Sequence, residues 1–138
     1  WRDKAFSGCR RLLTQSMKEL MARFVLLEHT GHPDDPIGKH FDLLLEQADA
    51  CETWRLADIP RVEQPVVAAT QLPAHRLAWL DRLEGEVSGG RGFARRVDSG
   101  SYVYLNTTSA NEERVVELTG ETLSGVLTIT RTEAFLSQ

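Results

Sequence analysis

The stretch His40-Phe41-Asp42-Leu43-Leu44-Leu45-Glu46 decides the fold. Successive side chains of a β-strand point to opposite faces, so the odd-numbered residues share one face and the even-numbered residues share the other. The odd-numbered face is apolar and is predicted to be core. The other face carries an imidazole and a carboxylate two residues apart, His40 and Asp42, which can bind one divalent ion together.

A second apolar run lies just upstream, where Phe24–Leu27 is followed by Glu28 and His29. If the two segments pair as neighbouring strands, His29 arrives beside His40 and Asp42. The sequence therefore predicts a metal site made of two histidines and one carboxylate. His32, in a loop rich in proline and aspartate, is expected to be exposed to solvent and is left out of the site.

Composition indicates one soluble globular domain. The chain has 138 residues, of which 41% are hydrophobic and 26% charged, and no apolar run approaches the roughly 18 residues of a membrane helix. Its two cysteines form neither a disulfide framework nor a zinc motif, which favours the reducing cytoplasm. We expect a cytoplasmic protein without membrane contact, and a monomer.

The charge is unevenly distributed. The net charge is -4, but residues 1–23 carry six basic and two acidic side chains, so the remainder is strongly acidic. An acidic domain is a poor candidate for wrapping long duplex DNA through its phosphates. We therefore predict that any nucleic-acid contact is local. We interpret residues 1–21 as an N-terminal extension, with an amphipathic helix at 10–20, and residues 22–138 as the folded domain.

Short strands separated by turn signals follow from residue 23 onward. Breaker residues at 30–38 predict a loop, 74–83 has the spacing of a short helical turn bearing His75, and glycines at 85–92 predict a loop. Ser99-Gly100 and Gly120-Glu121 are predicted hairpin turns. Many short antiparallel strands with little helix favour a single small β-barrel, because closure removes exposed strand edges. The predicted strands are 23–29, 40–47, 53–56, 65–69, 93–98, 101–106, 113–118 and 123–130.

Taken together, these motifs resemble one family, the N-terminal 3′-phosphoesterase domain of bacterial DNA ligase D. The family has R-F-V-x-x-x-H followed by H-Y-D-F-R-L-E, and residues 23–29 and 40–46 are similar to these motifs. Further pieces follow in the same order over residues 23–131. They are Thr53-Trp54, Ala74-His75-Arg76-Leu77-Ala78-Trp79 against D-H-P-L-x-Y, Glu84-Gly85, Asp98-Ser99-Gly100-Ser101-Tyr102 against W-D-x-G-x-W, and Leu118-Thr119-Gly120-Glu121-Thr122-Leu123-Ser124-Gly125.

The resemblance implies a β-barrel with a crescent-shaped groove that holds manganese and trims DNA 3′ ends. The implied substrates are a 3′-phosphate or a 3′-terminal ribonucleotide, as on a primer-template, and the implied partners are a separate ligase or end-joining proteins. Carried over by position, the metal ligands are His29, His40 and Asp42. The histidine on the phosphate side is His75, and it would hydrogen-bond the phosphate or protonate the leaving group.

Two positions depart from the family pattern. Leu44 stands where the family has a phosphate-binding arginine, and Trp79 stands where it has a tyrosine. Arg91 lies among glycines in a loop that could close over a phosphate, so it is a candidate replacement and is assigned, with His75, to catalysis. Arg95 and Arg96 follow on the next strand with opposite facing, so one of them is expected to reach the groove. Trp79, Arg95 and Arg96 are therefore assigned to substrate binding.

Three alternatives remain open at this stage. His40 and Asp42 could form a structural ion pair, and the barrel could have lost catalysis and only bind DNA ends or a repair partner. A third alternative is a non-haem iron oxygenase with His40, Asp42 and His75 as iron ligands and Arg82 binding a keto-acid carboxylate.

Overall fold

The domain is built almost entirely from antiparallel strands. The computed structural model describes residues 22–64, 66–105 and 113–138. These ranges contain nine strands and one short 3₁₀ helix, and no helix in them has the length and apolar character needed to cross a membrane. The strands are Ala22–His32 (β1), Asp35–Glu46 (β2), Cys51–Leu56 (β3), Val67–His75 (β4), Glu84–Glu86 (β5), Phe93–Tyr104 (β6), Arg114–Gly120 (β7), Ser124–Ile129 (β8) and Glu133–Ser137 (β9), and the helix is Leu77–Leu80.

The strands form one sheet that closes on itself. Their order is β1-β2-β3-β4-β9-β8-β7-β6, and β6 pairs back onto β1 along most of its length. The three-residue strand β5 pairs with the first part of β6, at Phe93–Arg95. The predicted mainly β, barrel-like fold is confirmed, and closure leaves few unpaired edges.

The inner face of the barrel is the main hydrophobic core. Phe41, Leu43 and Leu45 of β2 are buried there, as their odd-numbered spacing predicted. They pack with Trp54, which has only 1% of its surface exposed. Burying each large apolar side chain contributes about 1.5–3 kcal/mol, so this alternating pattern fixes which face of β2 points inward.

A second, smaller apolar cluster covers part of the outer face. Its members come from four neighbouring strands, β6, β1, β2 and β3, and from the 3₁₀ helix that lies over them. Leu44 belongs to this cluster and is fully buried. A residue two positions after Asp42 was expected to line the site, but Leu44 packs in a closed apolar layer instead. The buried members are Val25, Leu27, Leu44, Cys51, Leu80 and Ala94.

The prediction of two strands at 93–98 and 101–106, joined by a turn at Ser99-Gly100, is wrong. Residues 93–104 form one continuous strand, and Gly100 pairs with Phe24 on one side and with Gly120 on the other. A side chain at Gly100 would collide with the Thr119 carbonyl oxygen. This glycine therefore permits a close approach of β7 and is not a turn signal.

Asp98, two residues before that glycine, has a structural role. The buried Asp98 carboxylate accepts hydrogen bonds from the backbone N–H groups of Ser99, Glu121, Thr122 and Leu123, at 2.6–3.0 Å. The predicted turn at Gly120-Glu121 is confirmed, because it lies between β7 and β8. Asp98 ties this turn to the middle of β6.

Other predicted boundaries also shift. The expected loop at 30–38 is mostly strand, because β1 runs to His32 and β2 begins at Asp35. His75 ends β4 and does not lie on a helical turn, which covers only Leu77–Leu80. Strands β5, within the predicted glycine loop, and β9 were not predicted. The extension at 1–21, Pro65 and Asn106 lie outside the described residues.

Candidate metal centre

Two neighbouring strands bring three polar side chains to one point on the outer face of the barrel. In the register of β1 and β2, His29 lies opposite His40 and Leu27 lies opposite Asp42, so the three polar residues share a face. His29 Nδ1 lies 3.0 Å from His40 Nε2 and 3.2 Å from Asp42 Oδ2. The predicted approach of His29 to His40 and Asp42 is confirmed, and all three are nearly buried.

The tautomer of His29 is set by its second ring nitrogen. Nε2 lies 2.6 Å from the Arg91 carbonyl oxygen, which can only accept, so Nε2 carries a proton and donates. In the neutral ring Nδ1 therefore carries no proton, and its lone pair faces Asp42 and His40. Metal-binding histidines commonly donate their other N–H to a backbone carbonyl in this way.

With His29 neutral, the three side chains have too few N–H donors to satisfy every acceptor among them. A proton on His40 Nε2 would satisfy His29 Nδ1, but it would leave the Asp42 carboxylate without one, and Asp42 Oδ1 is buried with no hydrogen-bond partner. A buried carboxylate oxygen without a partner is costly. A cation between the three residues satisfies all of them at once.

Electrostatics separate the two histidines. The hydrogen bond to Asp42 raises the pKa of His29, whereas burial lowers the pKa of His40 to about 4. His40 is therefore neutral at pH 7 and offers the free ring nitrogen that a metal requires. Metal binding at His29 therefore requires loss of the proton that Asp42 favours, whereas His40 is already in the neutral form.

The spacing also fits a metal ion. A divalent ion bound to nitrogen and oxygen at about 2.0–2.2 Å holds two ligands at a right angle about 3 Å apart. The three pairs of ligand atoms here are 3.0, 3.2 and 3.5 Å apart. His29, His40 and Asp42 therefore form a group that could hold a metal ion. His75 is not part of this group among the described residues.

His29, His40 and Asp42, which we call the metal group, lie at a cavity of about 480 Å³. Its wall includes four arginines, whereas Asp42 and Glu86 are its two acidic residues. None of the four arginines forms an ion pair within the described part of the chain. The cavity is therefore a cationic region on an acidic protein, which favours an anionic ligand. The arginines are Arg55, Arg76, Arg82 and Arg91.

No protein-family model matches the chain, and no curated protein gives a significant match. The likeness to the ligase D phosphoesterase domain is therefore carried by the quoted motifs. Several residues assigned from that likeness, or considered with it, lie around the cavity.

His75 and Trp79 both line the cavity, as does Arg91. His75 Nδ1 donates to the Pro73 carbonyl oxygen at 3.1 Å, which leaves Nε2 available to a ligand. Trp79 is half-buried, and the Arg82 guanidinium lies 4.3 Å from its ring centroid. The side chain of Arg91 bonds back to the Ser88 carbonyl oxygen at 2.7 Å. The backbone of Arg91 holds His29, so its loop supports the metal group directly.

Arg95 and Arg96 do not line the cavity. Arg95 lies opposite Glu28 and forms an ion pair with it at 3.0 Å. Arg96 shares the face of Leu27, and its guanidinium donates to the Arg82 carbonyl oxygen at 3.4 Å. The predicted opposite facing of the two arginines is present, but neither side chain reaches the cavity wall.

Two cavity residues were missed from the sequence. His32 was expected to be exposed, but its ring is 17% exposed and its centroid lies 5.6 Å from that of His29. A bulge between Thr30 and His32, with Gly31 at φ 71°, turns His32 toward the site. Arg55 could have been found, because it follows the core residue Trp54 and must therefore point to the opposite face.

Proposed function

We propose that this protein is a metal-dependent phosphoesterase that acts on 3′ ends of DNA, removing a 3′-phosphate or a 3′-terminal ribonucleotide. The observation that carries the proposal is the convergence of His29, His40 and Asp42 beside a cavity lined by four arginines, none of which forms an ion pair with another described residue. A metal group next to a cationic pocket suits a phosphoryl substrate. The motif resemblance supplies the 3′ end as the substrate class.

Each set of site residues has a separate role in this proposal. His29, His40 and Asp42 would hold the ion, which supplies a Lewis acid and a more acidic water. The cavity arginines bind and orient the phosphate. His75 lines the same cavity, and its Nε2 would hydrogen-bond the phosphate or protonate the leaving oxygen.

We propose manganese as the ion. The donor set contains two ring nitrogens and carboxylate oxygens, without a thiolate, and such a set suits manganese and does not select zinc by ligand type alone. DNA 3′ ends, including recessed ends of a primer-template, are the proposed partners, with a separate ligase or end-joining protein acting on the trimmed product in the cytoplasm.

The test measures manganese content and phosphate release from a duplex with a 3′-phosphate. We expect His40→Ala to lose both its bound manganese and its phosphate release. His75→Ala should keep manganese and slow release by about 10²- to 10⁴-fold, as general acid–base groups do. Arg61→Met, which alters an exposed arginine outside the cavity, is the matched control and should behave as the parent.

Two results would overturn the proposal. One is equal manganese content in the parent and His40→Ala, which would remove the site. The other is a metal-loaded parent that binds 3′-phosphate ends without releasing phosphate. That second result would favour a barrel that only binds ends, an outcome consistent with the burial of Leu44 at the family arginine position.

A further inference from the structure

Arg55 lies on β3 directly across from the metal group. In the register of β2 and β3, Asp42 pairs with Arg55, and cross-strand partners share a face. Trp54 and Leu56, on either side of Arg55, are buried in the barrel core. The side chain of Arg55 therefore leaves the outer face beside Asp42, and it lines the cavity.

The guanidinium of Arg55 has unused hydrogen-bonding capacity. Its Nε is buried and has no hydrogen-bond partner, and Arg55 forms no ion pair in the described part of the chain. Arg55 and Asp42 both line the same cavity, so the guanidinium lies on the side of the barrel that carries the metal group. A partly buried guanidinium without a carboxylate is costly to keep unless a ligand pairs with it.

Position 44 cannot provide the arginine found in the family. Leu44 is fully buried under Leu80 and beside Val25, so a guanidinium there would lie inside an apolar layer. Arg55 starts from the adjacent strand, opposite Asp42, where the outer face is open to the cavity. The side chain of Arg55 can therefore reach the cavity from β3, which a side chain at position 44 cannot do from β2.

We propose that Arg55 is the phosphate-binding guanidinium of this site and that it replaces the arginine missing at Leu44. The inference rests on the proposed function for its ligand, a terminal phosphate. A guanidinium presents two parallel N–H groups, which match two oxygens of one phosphate. Arg55 would donate to two non-bridging oxygens of the phosphate, and the metal group would face the opposite side of the phosphate.

A second arginine is held in a position to assist. The Arg82 guanidinium stacks on Trp79 and lies against Gly85, where a side chain would collide with it. Gly85 therefore makes room for this guanidinium at the cavity wall. Arg82 is exposed, whereas Arg55 is partly buried and its Nε has no hydrogen-bond partner, so we assign the specific contact to Arg55.

The experiment measures binding, so that turnover does not interfere. The probe is a short duplex with a recessed 3′ end that carries a methylenephosphonate, in which carbon replaces the bridging oxygen and blocks release. Its affinity for the manganese-loaded protein is compared with that of the same duplex ending in a 3′-hydroxyl. The variants are Arg55→Met and Arg55→Gln, with Arg61→Met as the matched control.

We expect the parent and Arg61→Met to prefer the phosphonate end. Both Arg55 variants should lose about 10- to 100-fold of that preference, the size expected for charge-assisted hydrogen bonds. Manganese content and thermal melting should stay at the parent level, which a merely structural role would not allow. If Arg55→Met fails to fold, Arg55→Gln alone must show the loss.

Preference retained by a folded Arg55 variant would overturn the inference, and so would a parent without any preference. A parent that prefers the phosphonate end through Arg55, but releases nothing from a natural 3′-phosphate, would support the Arg55 contact and overturn the hydrolytic function. The two proposals therefore fail on different measurements.

Discussion

Leu44 shows how one residue can be misjudged from its position in a motif. It shares a strand face with His40 and Asp42, yet it is fully buried in the outer apolar cluster. Strand parity gives the face of a residue but not what covers that face. Here the 3₁₀ helix covers Leu44 through Leu80 and leaves Asp42 at the cavity.

We predict that Leu44→Arg destabilises the fold and does not restore a phosphate contact. The substitution would bury an unpaired charge and overfill the cluster, at a cost of about 3–5 kcal/mol. Leu44→Met, which nearly conserves volume, should cost less than about 1.5 kcal/mol. Urea unfolding measures both. Equal stability of the two variants would mean that position 44 opens to solvent.

Cys51 belongs to the same cluster, and burial raises the pKa of its thiol to about 11. At pH 8 its thiolate fraction is about a hundredfold below that of an ordinary thiol. In a Cys9→Ser background, which leaves Cys51 as the remaining thiol, we predict very slow alkylation by iodoacetamide in the native state. The native rate should rise with pH up to about 10, and in urea the reaction should be fast. Rapid native alkylation at pH 8 would contradict the burial of this thiol.

At the scale of the element, β6 is the strand that closes the barrel. It contacts β1 along its length, β5 near its start and β7 near its end. The glycine in its middle was interpreted as a turn, because Ser-Gly is common in turns. Only the pairing of three strands shows that Gly100 is needed for close approach of β7.

We predict that Gly100→Ala destabilises the domain by about 1–3 kcal/mol, because the new methyl group meets the backbone of β7. Ser101→Ala, one position along the same strand, is the matched control and should be nearly neutral. Thermal or urea unfolding distinguishes them. If Gly100→Ala is as stable as Ser101→Ala, the strands are not as close as described.

The metal group could be predicted from the sequence because it depends on two local features. Each strand contains an apolar run next to its polar site residues, and one antiparallel pairing brings His29 to His40. Arg55 and His32 depended on features that are not local. The outward direction of Arg55 follows from its neighbour Trp54, but its position beside Asp42 needs the β2–β3 register. His32 needs the bulge at Gly31, which reverses the parity of the strand.

At the scale of the whole molecule, the charge of the cavity opposes that of the protein. The chain is acidic overall, while the cavity wall carries four arginines. The cavity is therefore expected to attract a phosphate despite the net negative charge of the chain. This arrangement favours an end over continuous duplex.

We predict a shallow salt dependence for binding of a 3′-phosphate end. With at most four cavity arginines in contact with phosphates, the slope of log affinity against log salt should be no steeper than about -4. A blunt duplex with 3′-hydroxyl ends should bind more weakly at every salt concentration. Affinity measured from low to moderate salt tests this, and a steeper slope would indicate contacts along the duplex.

The alternation along β2 also constrains how this protein can change over evolutionary time. His40 and Asp42 point outward while Phe41 and Leu43 point into the barrel, so one inserted or deleted residue between them would exchange a ligand for a core side chain. The turn at Pro33 and Asp34 carries no such coupling. Descendants of this gene should therefore tolerate length changes at the turn and only substitutions within the strand.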